Sequence, residues 1–541
     1  MLRYVGETSA TIWCETDRSC TVTILGRSTP TFSVHGHHYA LVVVRDLEPC
    51  SVVDYEVELD GVTCWPPTDW PFPSSCIRTL GGDGPTRILF GSCRAAAPHE
   101  PPYSLEPGRD PRQRGVDAFR AHGVRMRDQA IDDWPDLMVF LGDQVYADDP
   151  SPGVRRLMRR RRRRGRETAP ADIAANFEEY AALYCESWTP DVERWMFSVL
   201  PSTMIFDDHD VIDDWNISRR WVDEIRETPW WEQHIIAALV SYWIYQHAGN
   251  LSPDRLDDEA MLAELTAAGD GAPVLSEWAR RSEEFTPVPG GYPFSYVRDL
   301  GDTRLIVIDS RNGRDLDPGR RRMVGVDEWE WICDQARGAD GHLVLATSLP
   351  IFVPGGVHGL QQWNERLCDG AWGRGAARAS EWLRRALDLE DWPAFGRSFT
   401  DVIDLLTELT SRERGCDSIT VIAGDIHFSY VAEVDVRGDS TTRVHQVVSS
   451  PIRNALRLRE RLVLRFAVSR VGRAIGSWLE RRVDRDVRTA RWELTDGPLF
   501  NNGMGQLTFD GPTADLELER ASADSDGAAT LSTTIAKRLT G

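Results

Sequence analysis

Four stretches of this 541-residue chain join an apolar run to an abrupt burst of side chains that bind metal ions. They are "RILFGSC", ending at Cys93; "DLMVFLGDQVY", running through Asp143 to Tyr146; "STMIFDDHD", carrying Asp207, Asp208, His209 and Asp210; and "SITVIAGDIH", ending on Asp425 and His427. Each has a plain structural explanation when taken singly, because Gly-Asp is turn chemistry and a lone cysteine packs as a small hydrophobe. Turn chemistry does not require Asp-Asp-His-Asp and Gly-Asp-x-His in one chain. Clustered acids repel one another and take up protons unless a multivalent cation neutralises them. The donors divide by type. Asp143, Asp208 and Asp425 are hard oxygen ligands suited to calcium, magnesium, manganese or ferric iron, whereas a thiolate, a phenolate and an imidazole suit a transition metal. Two unlike cations satisfy both sets, and a pair about 3.5–4 Å apart is the usual arrangement for phosphoester hydrolysis.

Residues so far apart in sequence meet only if the fold brings their strands side by side. In open α/β sheets, ligands bind beyond the carboxyl ends of the strands, which is where each burst falls. From residue 86 onward the apolar runs, with "RLIVIDS" and "HLVLATS" added, alternate with amphipathic helical stretches, the pattern of an α/β layered architecture. Residues 1 to about 80 read instead as a small all-β sandwich of short alternating runs such as "SATIWCET" and "YALVVVRDL". Within it "DLEPCSVVDYEVEL" resembles the corner of a fibronectin type III domain, anchored by Tyr55. Proline-rich "CWPPTDWPFPSS" reads as the connection to the next unit. The expected division is residues 1–80, a catalytic unit over 83–521, and a polar, frayed tail over 522–541. The arginine run "VRRLMRRRRRRGRE" reads as a solvated insertion in preference to an anion-recruiting arm.

Lys and Arg number 62 against 84 Asp and Glu, a net charge of -22 that excludes general nucleic-acid binding. An anionic substrate must therefore be captured by a local cation. Arg311, just after "RLIVIDS", is a candidate for bidentate phosphate binding, with a surface ion pair as the equal alternative. No run approaches the ~18 apolar residues of a membrane span, the first residues lack an export signal, and the 10 cysteines show no CxxC pair. The expectation is a soluble protein of the reducing cytoplasm, or an exported one if a signal precedes the first strand.

"GSC", "GDQVY", "DDHD" and "GDIH", in this order and at strand ends, resemble the metallophosphatase superfamily, most specifically PhoD-type alkaline phosphatases with a purple-acid-phosphatase-like metal centre. The resemblance spans roughly residues 83 to 515 and extends to the leading β domain. It implies a layered β-sheet sandwich flanked by helices, and phosphomonoester or phosphodiester hydrolysis by a metal-bound hydroxide. It implies further that Cys93, Tyr146 and His427 bind a ferric ion (Fe3+), that Asp143 bridges, that Asp208 and Asp425 bind a calcium ion (Ca2+), and that His209 is the catalytic acid. A phosphodiesterase acting on phospholipid or cell-wall polymers, and a catalytically silent binding protein, are the alternatives.

Overall fold

The computed structural model describes every residue except 83, 109, 163–167, 285–292, 413–414, 437–441, 483–489, 526 and 541. β-Branched and apolar residues alternate along the first 78 positions, and these form two four-stranded antiparallel sheets. One runs Leu2–Val5, Ser9–Thr16, His37–Arg45, Phe32–Val34; the other Arg27–Pro30, Thr21–Ile24, Val57–Leu59, Val62–Trp65. Leu2, Ile12, Val22, Val42, Tyr55 and Ile77 fill the space inside this unit.

Cys76–Arg78 still pairs with Val52–Asp54, so the proline-rich segment is a loop of the first unit and not the connection out of it. That loop lies on the following unit. Phe72 stacks on Trp195 at 5.4 Å, and the Trp195 indole N–H donates to the carbonyl of Pro73 at 3.0 Å. Tyr55 likewise donates outward, to the Ser198 carbonyl at 2.7 Å, so its hydroxyl closes no corner within its own unit.

The remainder is a sandwich of two sheets. The first has the order Ser202–Met204, Leu137–Phe140, Thr86–Gly91, Gly503–Asp510, Thr513–Ala523, Ala529–Arg538. The second has the order Tyr296–Leu300, Thr303–Ile308, His342–Thr347, Ser418–Ala423, Arg443–Val448, Ser429–Asp435, Arg491–Leu499. Leu89 pairs with Met138 and Val139 with Thr203 in parallel register, as do Leu345 with Ile306 and Val421. Buried side chains of both sheets, among them Phe90, Val139, Val307, Ile422 and Val447, meet in one core between the layers. Helices cover the outer faces, and "FEEYAALYCESWTPDVERWMFSVL" folds as two of them, Phe177–Trp188 and Asp191–Val199, broken at Pro190. Tryptophans 188, 195 and 243 are core residues.

One further expectation changes. Residues 529–538 of the supposed tail form the edge strand of the first sheet, paired along Thr513–Ala523, because "ATLSTTIAKR" is a β-branched strand with few apolar residues to reveal it. The arginine run begins as a helix, Pro152–Arg162, whose Arg162 makes a two-pronged pair with the buried Glu179 at 2.8 and 2.6 Å.

Candidate metal centre

Parallel pairing puts four strand ends at one edge of the sandwich, three from the first sheet and one from the second. Each chain then turns sharply. Cys93, Asp143, Asp425 and His427 all have positive φ, at 58°, 53°, 63° and 56°, a region that residues other than glycine seldom occupy. The turns interlock: the Cys93 N–H donates to the carbonyl of Gly142, and Ser92 Oγ accepts from the N–H of Asp425 at 3.0 Å. Glycine is required at two points. A Cβ on Gly142 would stand 2.2 Å from Asp207 Oδ2, and one on Gly424 2.3 Å from Ser92 Oγ.

The result is two groups of ligand atoms, each within 4.8 Å of one another, that share a residue: Cys93, Asp143 and His427 in one, Asp143, Asp207, Asp208 and Asp425 in the other. Asp143 and Asp208 form a third such group with His209. Tyr146 joins the first, its hydroxyl 3.3 Å from Asp143 Oδ2. All six sequence candidates for metal ligation and His209 therefore meet in one place. Asp210 of the "DDHD" run belongs to the scaffold, accepting from the N–H groups of Asp207 and Val145 and from Gln246.

Arg311 is wholly buried among the acids. Its Nε donates to Asp207 at 2.5 Å and its Nη1 to Glu390 at 2.6 Å, while Nη2 lies 3.2 Å from Asp208 and 3.5 Å from Asp425. It is neither on the surface nor free of partners. Burial would lower its pKa, but Asp208 and Glu390 raise it well above the ordinary value and keep it charged.

These residues fit cations on three counts. Asp143 Oδ1 and Asp207 Oδ2 are buried without a hydrogen-bond donor, which in a carboxylate oxygen marks an unfilled bond. Burial, then the neighbouring acids Asp207 and Asp208, pushes Asp425 well above the carboxylate range; burial does the same to Asp143, with His209 opposing and Asp207 adding. Burial and Asp143 likewise raise the thiol of Cys93 and the phenol of Tyr146. The donor set itself spans soft and hard types. A contrast comes from His99, Asp117 and Glu193, which also cluster but already hold Arg94 and Arg120; Asp117, buried, is brought down to about 2 by Arg94.

Sequence reasoning missed the residues that orient the ligands. Asn454 accepts from His427 Nδ1 at 3.0 Å, which leaves Nε2 as the ligand nitrogen, and donates from Nδ2 to the Tyr146 oxygen at 3.2 Å. Burial, then His209, holds His427 down at about 4, in the neutral form a ligand needs. Ser450 donates to Cys93 Sγ at 3.2 Å. Asp148 lies 2.9 Å from His209 Nδ1. Asp148 stands two residues after Tyr146 in a loop where an acid ordinarily signals only a turn, and Asn454 has no pattern at all.

Comparison with known families agrees with this geometry. The family model of PhoD-like phosphatases matches residues 117–460, more than half of the sequence. The chain belongs to the PhoD-like phosphatase family. It is accordingly a metal-dependent phosphoesterase, a hydrolase of phosphoric ester bonds. Cys93 lies ahead of the matched span, and residues 1–77 match a domain of unknown function. Among solved structures this PhoD-like phosphatase is similar to one titled "Structure of PhoD", at 12% identity and TM-score 0.58 over 100% of this chain and 91% of the other. It is also similar to a purple acid phosphatase from yellow lupin (Lupinus luteus) seeds, at 10% identity and TM-score 0.46 over 98% and 73%. No curated protein matches. Among the described residues no helix is long and apolar enough to cross a membrane.

Proposed function

We propose that this PhoD-like phosphatase hydrolyses phosphomonoesters, phosphodiesters or both at a ferric–calcium pair. Cys93, Tyr146 and His427 hold the iron, Asp208 and Asp425 the calcium, and Asp143 is shared. The observation that carries the proposal is the place of Asp143 in both ligand groups. Two cations there supply an activated water and neutralise charge on the phosphoryl oxygens. The chain's own residues do the rest. His209 shares its space with Asp143 and Asp208 and, protonated, donates to the oxygen of the leaving group. Asp148 holds the ring so that Nε2 is the nitrogen that gives up its proton. Arg311 holds Asp207 in place, and so serves the substrate through the acids and not by direct contact.

A silent binding protein has no need for a histidine backed by a carboxylate beside its metal ligands. The test is hydrolysis of a nitrophenyl phosphate monoester and a bis-nitrophenyl diester side by side, before and after selective removal of calcium and its return. Turnover that vanishes and comes back with calcium supports the proposal. Full turnover with zinc alone in the centre sinks it.

A further inference from the structure

The chain leaves Asn454 and within four residues enters two consecutive helices, Leu458–Val468 and Arg470–Glu480. These elements hold Leu462, Phe466, Val471, Ile475 and Trp478, five of the thirteen exposed large apolar side chains among the described residues. An amphipathic helix ordinarily turns its apolar stripe to the protein. Here the second helix docks by a stripe of glycine instead. Gly472 and Gly476 lie so close to the helix Gly355–Cys368 that a Cβ on Gly476 would be 2.5 Å from the Gly355 carbonyl oxygen. Val471, Ile475 and Trp478, spaced i, i+4, i+7, are left outside, each about half exposed, at 58%, 47% and 49%.

Charge distinguishes this face from an ordinary protein contact. Residues 457–482 contain eight arginines and two glutamates, a net charge of +6 within a chain of -22. Arg457, Arg465, Arg470, Arg473, Arg481 and Arg482 are exposed. Arg482 lies over the Trp478 ring at 4.4 Å, its charge carried outward past an apolar body. Aromatic and aliphatic side chains ringed by guanidinium groups are the chemistry of an interfacial helix, whose apolar stripe enters the headgroup layer while the cations meet anionic lipid.

We propose that this helical pair docks the protein on an anionic phospholipid surface. The acidic remainder does not prevent docking, because charges farther from the surface than about 8 Å are screened at physiological ionic strength. A second copy of the chain is a poorer occupant, since a two-fold contact would set these arginines against themselves. The proposal does not depend on the catalytic reading.

Flotation of the full chain with vesicles tests it, using phosphatidylcholine alone and phosphatidylcholine with roughly one quarter phosphatidylglycerol. The expected result is binding to the anionic vesicles, weakened by high salt, and little to the neutral ones. Ile475→Glu with Trp478→Glu should reduce binding by about tenfold or more while hydrolysis of a soluble monoester stays unchanged. Should that variant lose its activity, Arg481→Glu with Arg482→Glu, at the far end of the helix, takes its place. The proposal is overturned by failure to float with anionic vesicles, by equal binding to neutral ones, by variants that bind undiminished, or by variants that abolish self-association and leave vesicle binding intact.

Discussion

The imidazole of His209 lies on the ring of Tyr146, centroids 4.5 Å apart, with Nδ1 held between the two oxygens of Asp148 at 2.9 and 3.0 Å. Burial alone would lower its pKa, but Asp148, ahead of Asp143, overrides burial and raises it well above the ordinary value. An acid works only while protonated, so its rate falls as pH rises through its pKa. Removing a partner that raises the pKa brings that fall to lower pH. Asp148→Asn is therefore expected to move the alkaline limb of the kcat profile toward neutrality, with the metals retained. His209→Ala should lower kcat by about 10²–10⁴-fold at unchanged metal content. A variant that instead sheds its metals makes His209 a ligand. Tyr146→Phe separates another role: it keeps the ring that supports His209 and removes only the oxygen, so the visible band of iron-loaded protein should shift or bleach while the fold persists. Colourless wild-type protein at full ferric occupancy would falsify the thiolate and phenolate assignment.

The site was legible in the sequence at the scale of elements because four runs switch from apolar to ligating residues within one or two positions, and parallel strands make such switches converge. The reason for glycine before Asp143 and Asp425 was only half legible. Gly142 is needed for its turn, at φ 111°, and equally for the nearness of Asp207, a contact between two strands that no local pattern records. Gly142→Ala should push Asp207 off Arg311, cost about 1–3 kcal/mol by chemical denaturation, and lower metal content with it. Wild-type stability and occupancy in that variant would mean that Asp207 has room to move. The residues that orient the ligands escaped notice for a related reason. Ser450 and Asn454 sit on one irregular loop and act through a hydroxyl, a carbonyl and an amide, which leave no period in sequence. The edge strand 529–538 was hidden by composition, since an exposed strand of Thr, Ser and Lys looks like a solvated tail.

At the scale of the whole molecule the first unit is an integral part of the packing. Arg3 is fully buried, and it donates to the carbonyls of Ser202, Tyr245 and Gln246 and to Asn250 Oδ1 at 2.6–3.1 Å. Tyr39 and Tyr245 join hydroxyls across the same boundary at 3.0 Å. Each buried acceptor left without its donor costs about 1–3 kcal/mol, so Arg3→Ala should destabilise the protein by roughly 3 kcal/mol or more. Denaturation should then show the loss, and protease should cut first near residues 79–85. An unchanged midpoint would show the boundary to be loose. Ser202 opens the strand that leads to Asp208, so the same contact steadies the centre from a distance.

Three of the four converging strand ends belong to one sheet and the fourth to the other, and this gives the bound ions a second consequence, in time and not in chemistry. Ions held by both sheets would couple the opening of the sandwich to their own departure. Amide hydrogens along Leu137–Phe140 and Ser418–Ala423 would then exchange with solvent at a rate set by how long an ion stays bound. The same amides in chelated protein would exchange together and early, and the difference would read out the residence time of the metals without any substrate present.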